Sequence, residues 1–367
     1  MALVFVRTLN DSLIKESHMK RSLVALALMG AFSLAHAQSS VTVYGTLDDG
    51  LFKRTGQTLS EGKRDNNKLG FRGVEDLGSG LKALFQLEIR YEPDTGLIES
   101  TTRPLFQGQS RVGLQGDFGT LRLGRGLTAF QETSTFFEPW AGMPAVAGFQ
   151  TDLQVAGYTS DPLSAAGNSG NRFSNAVFYN TPVFSNIFQL NFTIGTKEAN
   201  NNPALIGRGT AAAPQFPANS QAPVYPFSFS GTATNGPLAA YVAYERNAVD
   251  TKLWSIGASF KPINDLKLFA TYQRQNQDYS VLINPDTRAW MLGANYNIGP
   301  GMVRAGYGQK RPDNVLNSPA IADTKQVSLG YDYNLSVRTY LYVDGTRKKI
   351  TPAATFNFYS IGIHHNF

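Results

Sequence analysis

Two strand-like stretches and the long segment between them decide how this chain folds. The first is TLRLGR (120–125) and the second is RFSNAVFY (172–179). Residues 127–171, which separate them, are rich in Gly, Pro and Ser and keep neither a period of two nor one of 3.6. A structureless connection of this length inside a compact domain is uncommon unless it is functional. We therefore expect the strands to form a closed wall and residues 127–171 to fold inward, narrowing the space that the wall encloses.

The start of the chain has the features of an export signal. Met19-Lys20-Arg21 is a positively charged start, residues 23–34 form an apolar run, and Ala35-His36-Ala37 is an A-x-A cleavage site. The apolar run is shorter than a membrane-spanning helix requires, and its flanks fit cleavage better than anchoring. We predict that residues 1–37 are an upstream extension plus a cleaved signal peptide and that residues 38–367 form one domain.

Composition narrows the functions open to residues 38–367. This part of the chain carries 29 basic and 25 acidic side chains, a balance too mild for a nucleic-acid partner, and no basic run alternates with aromatic residues. The absence of cysteine excludes thiolate chemistry and fits an exported protein without disulfides. No run of 18 apolar residues follows the signal, so the sequence contains no predicted helical membrane span. A soluble β-sandwich and a membrane β-barrel both remain possible on these grounds.

Apolar and polar residues alternate in several stretches, among them 188–194, 254–260, 290–296 and 327–334. A period of two places one set of side chains on each face of a sheet. In a membrane barrel the apolar face points to lipid and aromatic residues collect at the strand ends. The aromatic residues favour the barrel because most lie at or near the ends of alternating runs: Tyr44, Phe52, Tyr91, Tyr179, Tyr244, Phe260, Tyr296, Tyr333, Tyr359 and Phe367.

The connections between these runs predict sixteen strands. Seven are short turns with turn chemistry, at 76–79, 117–119, 183–185, 235–236, 263–265, 299–301 and 334–336. Eight are mostly longer and more polar, at 54–66, 92–107, 127–171, 197–224, 247–250, 280–286, 312–323 and 350–353. An even strand number with short turns on one side and longer loops on the other is typical of bacterial outer-membrane barrels. The predicted fold is an all-β, sixteen-stranded antiparallel transmembrane barrel, closed by pairing residues 41–51 with residues 355–367 because an open edge is costly in lipid.

Four stretches and the terminal Phe367 carry a resemblance to a known family: VTVYG (41–45), KLGFRGVEDLG (68–78), RVGLQGDFGTLRLGR (111–125) and RFSN (172–175). Over essentially all of residues 38–367 the chain resembles the Gram-negative general porins of the trimeric, sixteen-stranded, betaproteobacterial type. The resemblance implies an outer-membrane location and a water-filled channel for passive diffusion of ions and small hydrophilic solutes. It also implies a homotrimer, joined through the early strands and residues 92–107, in contact with outer-membrane lipid and lipopolysaccharide. It implies neither an enzyme nor a cofactor.

Alternation assigns the basic residues of the wall to its inner face. Where Leu69 and Phe71 face lipid, the flanking Lys68 and Arg72 face the lumen, and an outward Phe173 likewise turns Arg172 inward. The resemblance implies a basic ladder at the constriction, and the residues that match it are Lys68, Arg72, Arg111 and Arg172. The same count of alternating residues adds Arg122 and Arg90.

Acidic residues are expected on the segment that faces this ladder. The candidates are Glu132, Glu138 and Asp152, and the alternative for each is a solvated loop carboxylate. The run FFEPWAG (136–142) stands where enterobacterial relatives commonly have Pro-Glu-Phe-Gly-Gly, so this part of the segment departs from the family pattern. A basic wall facing an acidic loop sets up a transverse field, and the excess of cations predicts a weak preference for anions.

Other functions find less support in the residues. A serine hydrolase needs a general base, and the only histidines after residue 37 are His364 and His365, which alternate onto opposite faces of the last strand. No spacing of His, Cys and Asp is typical of a metal site, and no helix pattern follows Gly124-Arg125-Gly126 as a phosphate loop would require. A substrate-specific channel is the nearest alternative, although Trp140 with Phe136 and Phe137 is too short a cluster for an aromatic track. A secreted lectin-like sandwich is a further alternative, and it would stay soluble without detergent.

Overall fold

A computed structural model describes residues 40–101, 103–163, 170–199, 203–206, 209–276, 286–313 and 323–367. Across these ranges one antiparallel sheet of seventeen strands closes on itself. The strands are β1 (Ser40–Arg54), β2 (Ser60–Gly62), β3 (Lys68–Gly78), β4 (Leu81–Arg90), β5 (Gln109–Gly116), β6 (Gly119–Leu127), β7 (Arg172–Asn180), β8 (Phe188–Gly195), β9 (Phe227–Asn235), β10 (Leu238–Arg246), β11 (Lys252–Ile263), β12 (Leu266–Asn276), β13 (Thr287–Ile298), β14 (Gly301–Pro312), β15 (Asp323–Asn334), β16 (Thr339–Thr351) and β17 (Thr355–Asn366). The predicted signal peptide and upstream extension, residues 1–37, lie outside the described residues.

The prediction of a sixteen-stranded barrel is confirmed. Sixteen of the strands in the described ranges are 8 to 15 residues long and form the wall. The remaining strand, β2, has three residues and pairs with Gly50–Phe52 of β1 inside the predicted connection 54–66. Short turns join β3 to β4, β9 to β10 and β13 to β14 at one end of the barrel, which we call the turn end; the opposite end is the loop end. In the described part of the chain, no helix is both long enough and apolar enough to cross a membrane.

The barrel closes between its first and last strands, as predicted. β1 and β17 are antiparallel, with register from Thr46 opposite Asn366 to Arg54 opposite Phe358. The terminal Phe367 extends this pairing, because its N–H donates to the Gly45 carbonyl at 3.2 Å and its own carbonyl accepts from the Gly45 N–H at 3.0 Å. Gly45 is needed at this position, since a Cβ there would lie 2.3 Å from the Phe367 ring.

Side chains alternate between the two faces along most of the wall. In β15, Gln326 and Ser328 are buried in the interior, whereas Val327 and Leu329 are 48% and 60% exposed on the outside. An apolar outer face with a polar inner face is what lipid outside and water inside require. The same alternation turns His364 inward and buries it, while His365 stacks beside Phe367.

The pair β6–β7 breaks this alternation. Its register shifts between Gly124 and Gly126, where Gly124 has φ 126° and a Cβ would lie 2.1 Å from the Ser110 carbonyl oxygen. On β7, Asn175 also has a positive φ of 50°. The expectation that Phe173 faces lipid is therefore wrong: its side chain is 1% exposed and packs with Ala176 and Phe178. A bulge adds a residue to one strand, so counting by twos fails beyond it.

Residues 128–163, here called the inner loop, lie against the inside of the wall. They contain the helix α1 (Ala129–Ser134), a 3-10 turn at Thr135–Phe137 and a π-helical turn at Gln150–Gln154. The N-cap of α1 is Thr128, whose side chain accepts from the Gln131 N–H. The N–H groups of the first turn of α1 have no partner within the helix and bind side chains of the wall instead. The Ala129 N–H donates to Thr193 at 3.0 Å, and the Phe130 N–H donates to Ser228 at 2.8 Å. The two largest hydrophobic clusters, one around Phe130 and Phe137 and the other around Trp140 and Phe149, lie between the inner loop and the wall.

Candidate functional site

The inner loop covers one half of the interior wall, from β8 to β16. Near its start, Phe130 and Phe137 pack with Tyr241, Ala243 and Leu253 of β10 and β11. Farther along, Trp140, Phe149 and Leu153 pack with Phe269 and Met291 of β12 and β13. Gly306 and Gly308 of β14 leave room for the loop, because a Cβ at either position would lie within 2.7 Å of Phe149 or Leu153. The loop is held against this half by apolar contact and leaves the half from β3 to β7 uncovered.

Polar side chains of the wall bind the backbone of the inner loop and fix its path. Gln326 Nε2 donates to three successive loop carbonyls, the shortest bond being 2.8 Å to Gly148. Lys310 Nζ donates to the carbonyls of Gln154, at 3.1 Å, and of Ala156. Arg304 donates to the carbonyl of Pro139, the residue before Trp140. Sequence reasoning missed these three residues, since nothing local distinguishes a wall residue that faces water from one that faces a loop.

The uncovered half carries basic residues at two levels. Nearer the turn end are Arg72, Arg111 and Arg122, on β3, β5 and β6. The Arg72 guanidinium lies over the Tyr44 ring at 5.2 Å, and that of Arg111 lies over Phe178 at 5.4 Å. These contacts hold the flexible side chains along the wall, where Arg72 remains exposed and Arg111 is buried.

Glu132 of α1 extends from the inner loop to the arginines nearer the turn end and contacts two of them directly. Its Oε1 accepts from Arg111 Nη1 at 2.9 Å, and its Oε2 is 3.7 Å from Arg122 Nη2. Arg111 also donates to Gln86 Oε1 at 2.9 Å, and Arg122 donates to Asn180. The structure therefore brings together one predicted loop acid and two predicted wall cations in a single partly buried cluster.

Nearer the loop end, a second set of arginines lines a cavity of about 390 Å³ between the wall and the inner loop. These are Arg90, Arg103, Arg125 and Arg172, with Glu99 beside them and Gln150, Thr151 and Gly157 on the loop side. Arg172 Nε donates to the Gly108 carbonyl at 2.7 Å, while Arg90 Nη2 is 3.0 Å from Glu88. Arg90 Nη1 is buried and has no acceptor among the described residues.

Lys68 and Arg125 reach the inner face of the wall in different ways. Lys68 lies directly opposite Arg90 in the β3–β4 pair and so shares its inner face. Arg125 lines the cavity although the alternation missed it, because the bulge at Gly124–Gly126 turns it inward, where it donates to Ser174 at 2.6 Å and approaches Asp161 at 4.0 Å. The signal that could have found it is the glycine on each side of it, since glycines inside a strand often mark a bulge.

The other two predicted loop acids do not join this cluster. Glu138 is buried inside the inner loop, where its carboxylate accepts from the N–H groups of Gly142 at 2.8 Å, Trp140 at 3.1 Å and Phe149 at 3.3 Å. Burial raises the pKa of Glu138, and these three hydrogen bonds oppose the rise. Glu138 thus shapes the loop and does not face the basic wall, which corrects the prediction for this residue. Asp152 lies in the π-helical turn, and its side chain is outside the described residues.

A buried ionic cluster holds the tip of the inner loop. Trp140 Nε1 donates to Asp344 at 3.1 Å, and Arg64 Nη1 lies 3.5 Å from Asp344 and 2.7 Å from Asp332. Burial lowers the pKa of Arg64, but the two carboxylates more than offset this, so the pKa lies above its ordinary value. Asp48 joins the cluster by accepting from the Arg64 N–H at 2.5 Å. None of this was predicted, because Arg64 lies in a connection and meets Asp332 and Asp344, 268 and 280 positions away, only after the barrel closes.

The aromatic residues of the inner loop do not form a track along the lumen. Trp140 is fully buried and Phe137 is 7% exposed, so both serve packing, whereas Phe136 alone of the three is exposed. Among the described residues, no group of three or more His, Cys, Asp or Glu side chains is arranged to hold a metal ion. What the site offers chemically is an arc of guanidinium groups on the uncovered wall, two of which lie directly against the Glu132 carboxylate of the inner loop.

Known proteins with similar sequences and folds give an independent view of this arrangement. A sequence model of the family described as Gram-negative porin matches residues 23–351. Outer membrane porin protein 32 of Delftia acidovorans is 29% identical over 376 residues, which is 94% of each chain. An outer membrane porin protein of Bordetella pertussis is 27% identical over 422 residues, 95% of this chain and 100% of that one. The solved structure of an anion-selective porin from Comamonas acidovorans superposes with a TM-score of 0.72 at 25% identity, covering 90% of this chain and 100% of that one.

Proposed function

The chain belongs to the Gram-negative porin family, and we propose that its lumen passes ions and small hydrophilic solutes by passive diffusion with a weak preference for anions. It is an outer-membrane porin and not an enzyme. The wall is apolar outside and polar inside, as a channel through lipid requires. The inner loop narrows the lumen from one side, so that solutes pass between it and the uncovered wall.

The arc of arginines carries the proposed anion preference. Besides Arg103 of the connection between β4 and β5, seven cations of the strands β3 to β7 lie on this inner face or line its cavity: Lys68, Arg72, Arg90, Arg111, Arg122, Arg125 and Arg172. In the described ranges, the carboxylates that contact them are Glu88, Glu132 and Asp161. A ring of fixed charges at a narrow pore biases which ion enters, and this excess is positive. The similarity to a porin described as anion-selective supports the same direction.

Conduction across a planar bilayer tests this proposal. Protein purified in detergent should insert, give stable single-channel currents, and show a reversal potential in a KCl gradient that favours chloride. Current that rises linearly with solute concentration would separate simple diffusion from a substrate-specific channel, which saturates. A preparation that inserts without conducting would contradict the channel, and a reversal potential favouring potassium would contradict the anion preference.

We further propose that the porin is a homotrimer joined through its early strands and residues 92–107. The outer face of β1 presents Val41, Val43, Leu47 and Leu51, each at least 43% exposed. Leu97, Ile98 and Leu105 in the following loop are exposed as well. The apolar residues of this loop lie outside the strands, and exposed apolar patches often mark protein interfaces. A compact band at trimer mass on an unboiled gel supports this assembly, and a monomer band under the mildest extraction contradicts it.

A further inference from the structure

An apolar pair interrupts the polar inner face of the uncovered wall near the turn end. Val74 of β3 and Leu84 of β4 lie directly opposite each other in register. Both share the inward face of Arg72, since Val74 is two residues beyond Arg72 and Leu84 is two residues from Gln86, the register partner of Arg72. Val74 is 37% exposed, and Leu84 is half-buried. The interior of a barrel that holds water is polar as a rule, so an apolar pair that water can reach calls for a reason.

A cavity of about 400 Å³ opens over this pair. Its lining includes Val74 and Leu84, the three arginines nearer the turn end, Arg72, Arg111 and Arg122, and the amides of Gln86 and Asn180. Sites for small molecules typically have about 300–1,000 Å³ and combine apolar walls with a few polar groups. The cavity therefore has both the size and the composition of such a site.

The three arginines differ in what they offer a solute. Arg111 and Arg122 already lie against the Glu132 carboxylate, at 2.9 Å and 3.7 Å. Arg72 is exposed, with its guanidinium 5.2 Å from the centre of the Tyr44 ring. Among the residues that the structure describes, no carboxylate forms an ion pair with Arg72. A guanidinium binds a carboxylate through two parallel N–H···O bonds, so Arg72 gives the cavity a cation that an incoming anion can use.

The neighbours of the apolar pair limit the length of the apolar part of a solute. Arg72 lies about 7 Å from Val74 along the strand, and Val74 lies about 5 Å from Leu84 across the pair. Toward the turn end, the next inward positions are Asp76 and Lys82, which are again opposite each other and charged. The apolar surface is thus one residue pair long. A single ring covers it, whereas an extended alkyl chain would run on over charged groups.

The inner loop adds apolar surface on the lumen side. Within residues 129–137, the side chains that are not buried are those of Glu132, Thr135 and Phe136. Phe136 is 64% exposed and lies about one helical turn beyond Glu132, the residue that contacts the cavity arginines. An exposed aromatic ring therefore stands on the loop close to these arginines.

We propose that the cavity around Arg72, Val74 and Leu84, here called the ring site, binds monocarboxylates that carry one apolar ring, with benzoate as the simplest aromatic member. The inference rests on the proposed function, because the ring site lies in the lumen through which anions pass, and it deepens that function by naming a class of anion. The carboxylate accepts hydrogen bonds from Arg72, and the ring covers Val74 and Leu84 and removes their apolar surface from water. The expected dissociation constant is on the order of 1 mM, since a solute that passes through a channel must also leave it.

Binding of para-fluorobenzoate to the purified porin in detergent, measured by fluorine NMR line broadening at neutral pH, tests the proposal. The test variant carries Val74→Thr and Leu84→Asn, which keep side-chain shape and every charge but remove apolar surface. The matched control is Met302→Gln, at an inward position opposite Asp332 on the covered half of the wall. We expect the unmodified porin and the control to bind the probe alike, and the test variant to bind it roughly tenfold more weakly, the equivalent of about two buried methylene groups. Arg72→Gln should weaken binding by at least about tenfold, because it removes the charged hydrogen bonds.

Competition against the probe on the unmodified porin tests the ligand class without any substitution. Benzoate and cyclohexanecarboxylate should displace the probe equally well, because each carries one ring and one carboxylate. Acetate lacks the ring and benzyl alcohol lacks the charge, so each should compete at least about tenfold more weakly.

Several results would overturn the proposal. Acetate competing as well as benzoate would exclude recognition of the ring, and benzyl alcohol competing as well would exclude recognition of the charge. Undiminished binding to the test variant, or an equal loss in the control, would exclude the apolar pair as the contact. Should the test variant fail to fold, Leu84→Asn alone is expected to lower affinity about three- to fivefold, and the competition series decides the class by itself.

Binding in detergent does not require conduction, so the two proposals can fail separately. A porin that conducts chloride but does not bind para-fluorobenzoate would overturn the ring site and leave the channel intact. A porin that binds the probe with the expected pattern but inserts without conducting would contradict the channel and leave the ring site intact.

Discussion

The two halves of the inner wall follow the same alternation but end in different environments. From β8 to β16 the inward residues include Ser228, Ala243, Met291 and Gly306, and the inner loop packs against them. From β3 to β7 they include long arginines such as Arg72, which is exposed, and Arg111, which is buried against Glu132 of the inner loop. Apolar and small inward residues allow the loop to dock, and the buried cations among them, Arg304 and Lys310, donate to loop carbonyls. A row of guanidinium groups without such acceptors would leave buried, unpaired charge beneath the loop. The types of the inward-facing residues thus decide which half of the wall the inner loop covers and which half of the lumen stays open.

The difference between the two halves of the inner wall predicts that the inner loop docks through its buried aromatic residues and not through its exposed ones. Trp140→Ala should lower the free energy of unfolding by about 3–5 kcal/mol, since it opens a cavity and removes the hydrogen bond to Asp344. Phe136→Ala, the matched control at an exposed site, should change it by less than about 0.5 kcal/mol. Urea unfolding of the refolded proteins in lipid vesicles measures both values. Equal losses in the two variants would mean that the loop tip is not anchored in the covered half.

The uncovered half of the wall, from β3 to β7, should lose its preference for anions when its arginines nearer the loop end are neutralised. Replacing Arg90, Arg125 and Arg172 by Gln removes three positive charges from the cavity wall and should reduce the chloride-to-potassium permeability ratio by roughly tenfold. Reversal potentials in a KCl gradient measure the ratio. A variant with Arg288→Gln, Lys325→Gln and Lys349→Gln loses the same charge from the outer face and is the control. If both variants shift the potential equally, selectivity comes from overall charge and not from the lumen.

Glu132 of the inner loop contacts arginines of the uncovered half. Removing its negative charge should therefore increase the difference in charge between the two halves. In Glu132→Gln the carboxylate no longer neutralises Arg111 and Arg122, so anion preference should rise by about two- to fivefold at the effective dielectric of a water-filled lumen. Glu61→Gln, at a fully exposed outer site, should leave the reversal potential unchanged. A shift toward potassium in Glu132→Gln would contradict the assigned contact with the arginine wall.

The smallest expected effect concerns pH and Glu138. Burial raises the pKa of this carboxyl in the folded protein, so its protonated form is favoured by folding. The corresponding stability is present below the pKa of the unfolded chain and is lost as pH rises through the folded pKa. Glu138→Gln should therefore be less sensitive to pH than the unmodified porin from acidic pH upward to neutrality. Urea midpoints at a series of pH values measure this, and parallel pH profiles for the two proteins would contradict the buried position of Glu138.

Prediction from the sequence succeeded where strands are regular. Arg111 and Arg122 sit on regular parts of β5 and β6, and counting by twos assigned both to the inner face where they meet Glu132. The same count missed Arg125, because the bulge between Gly124 and Gly126 changes which face the next residue occupies. Among the loop acids, the sequence could not separate Glu132 from Glu138, since both stand in an aperiodic segment and only packing shows which one the loop encloses.

By itself, the amino-acid sequence determined the barrel: the period of two, the even number of alternating runs and the terminal Phe367 follow from what lipid and backbone hydrogen bonding require of each strand. Tertiary structure alone decided which half of the lumen the inner loop covers and which charges remain open. That choice depends on contacts between residues far apart in the chain, such as Trp140 with Asp344, which exist only once the closed wall has brought them within hydrogen-bond distance.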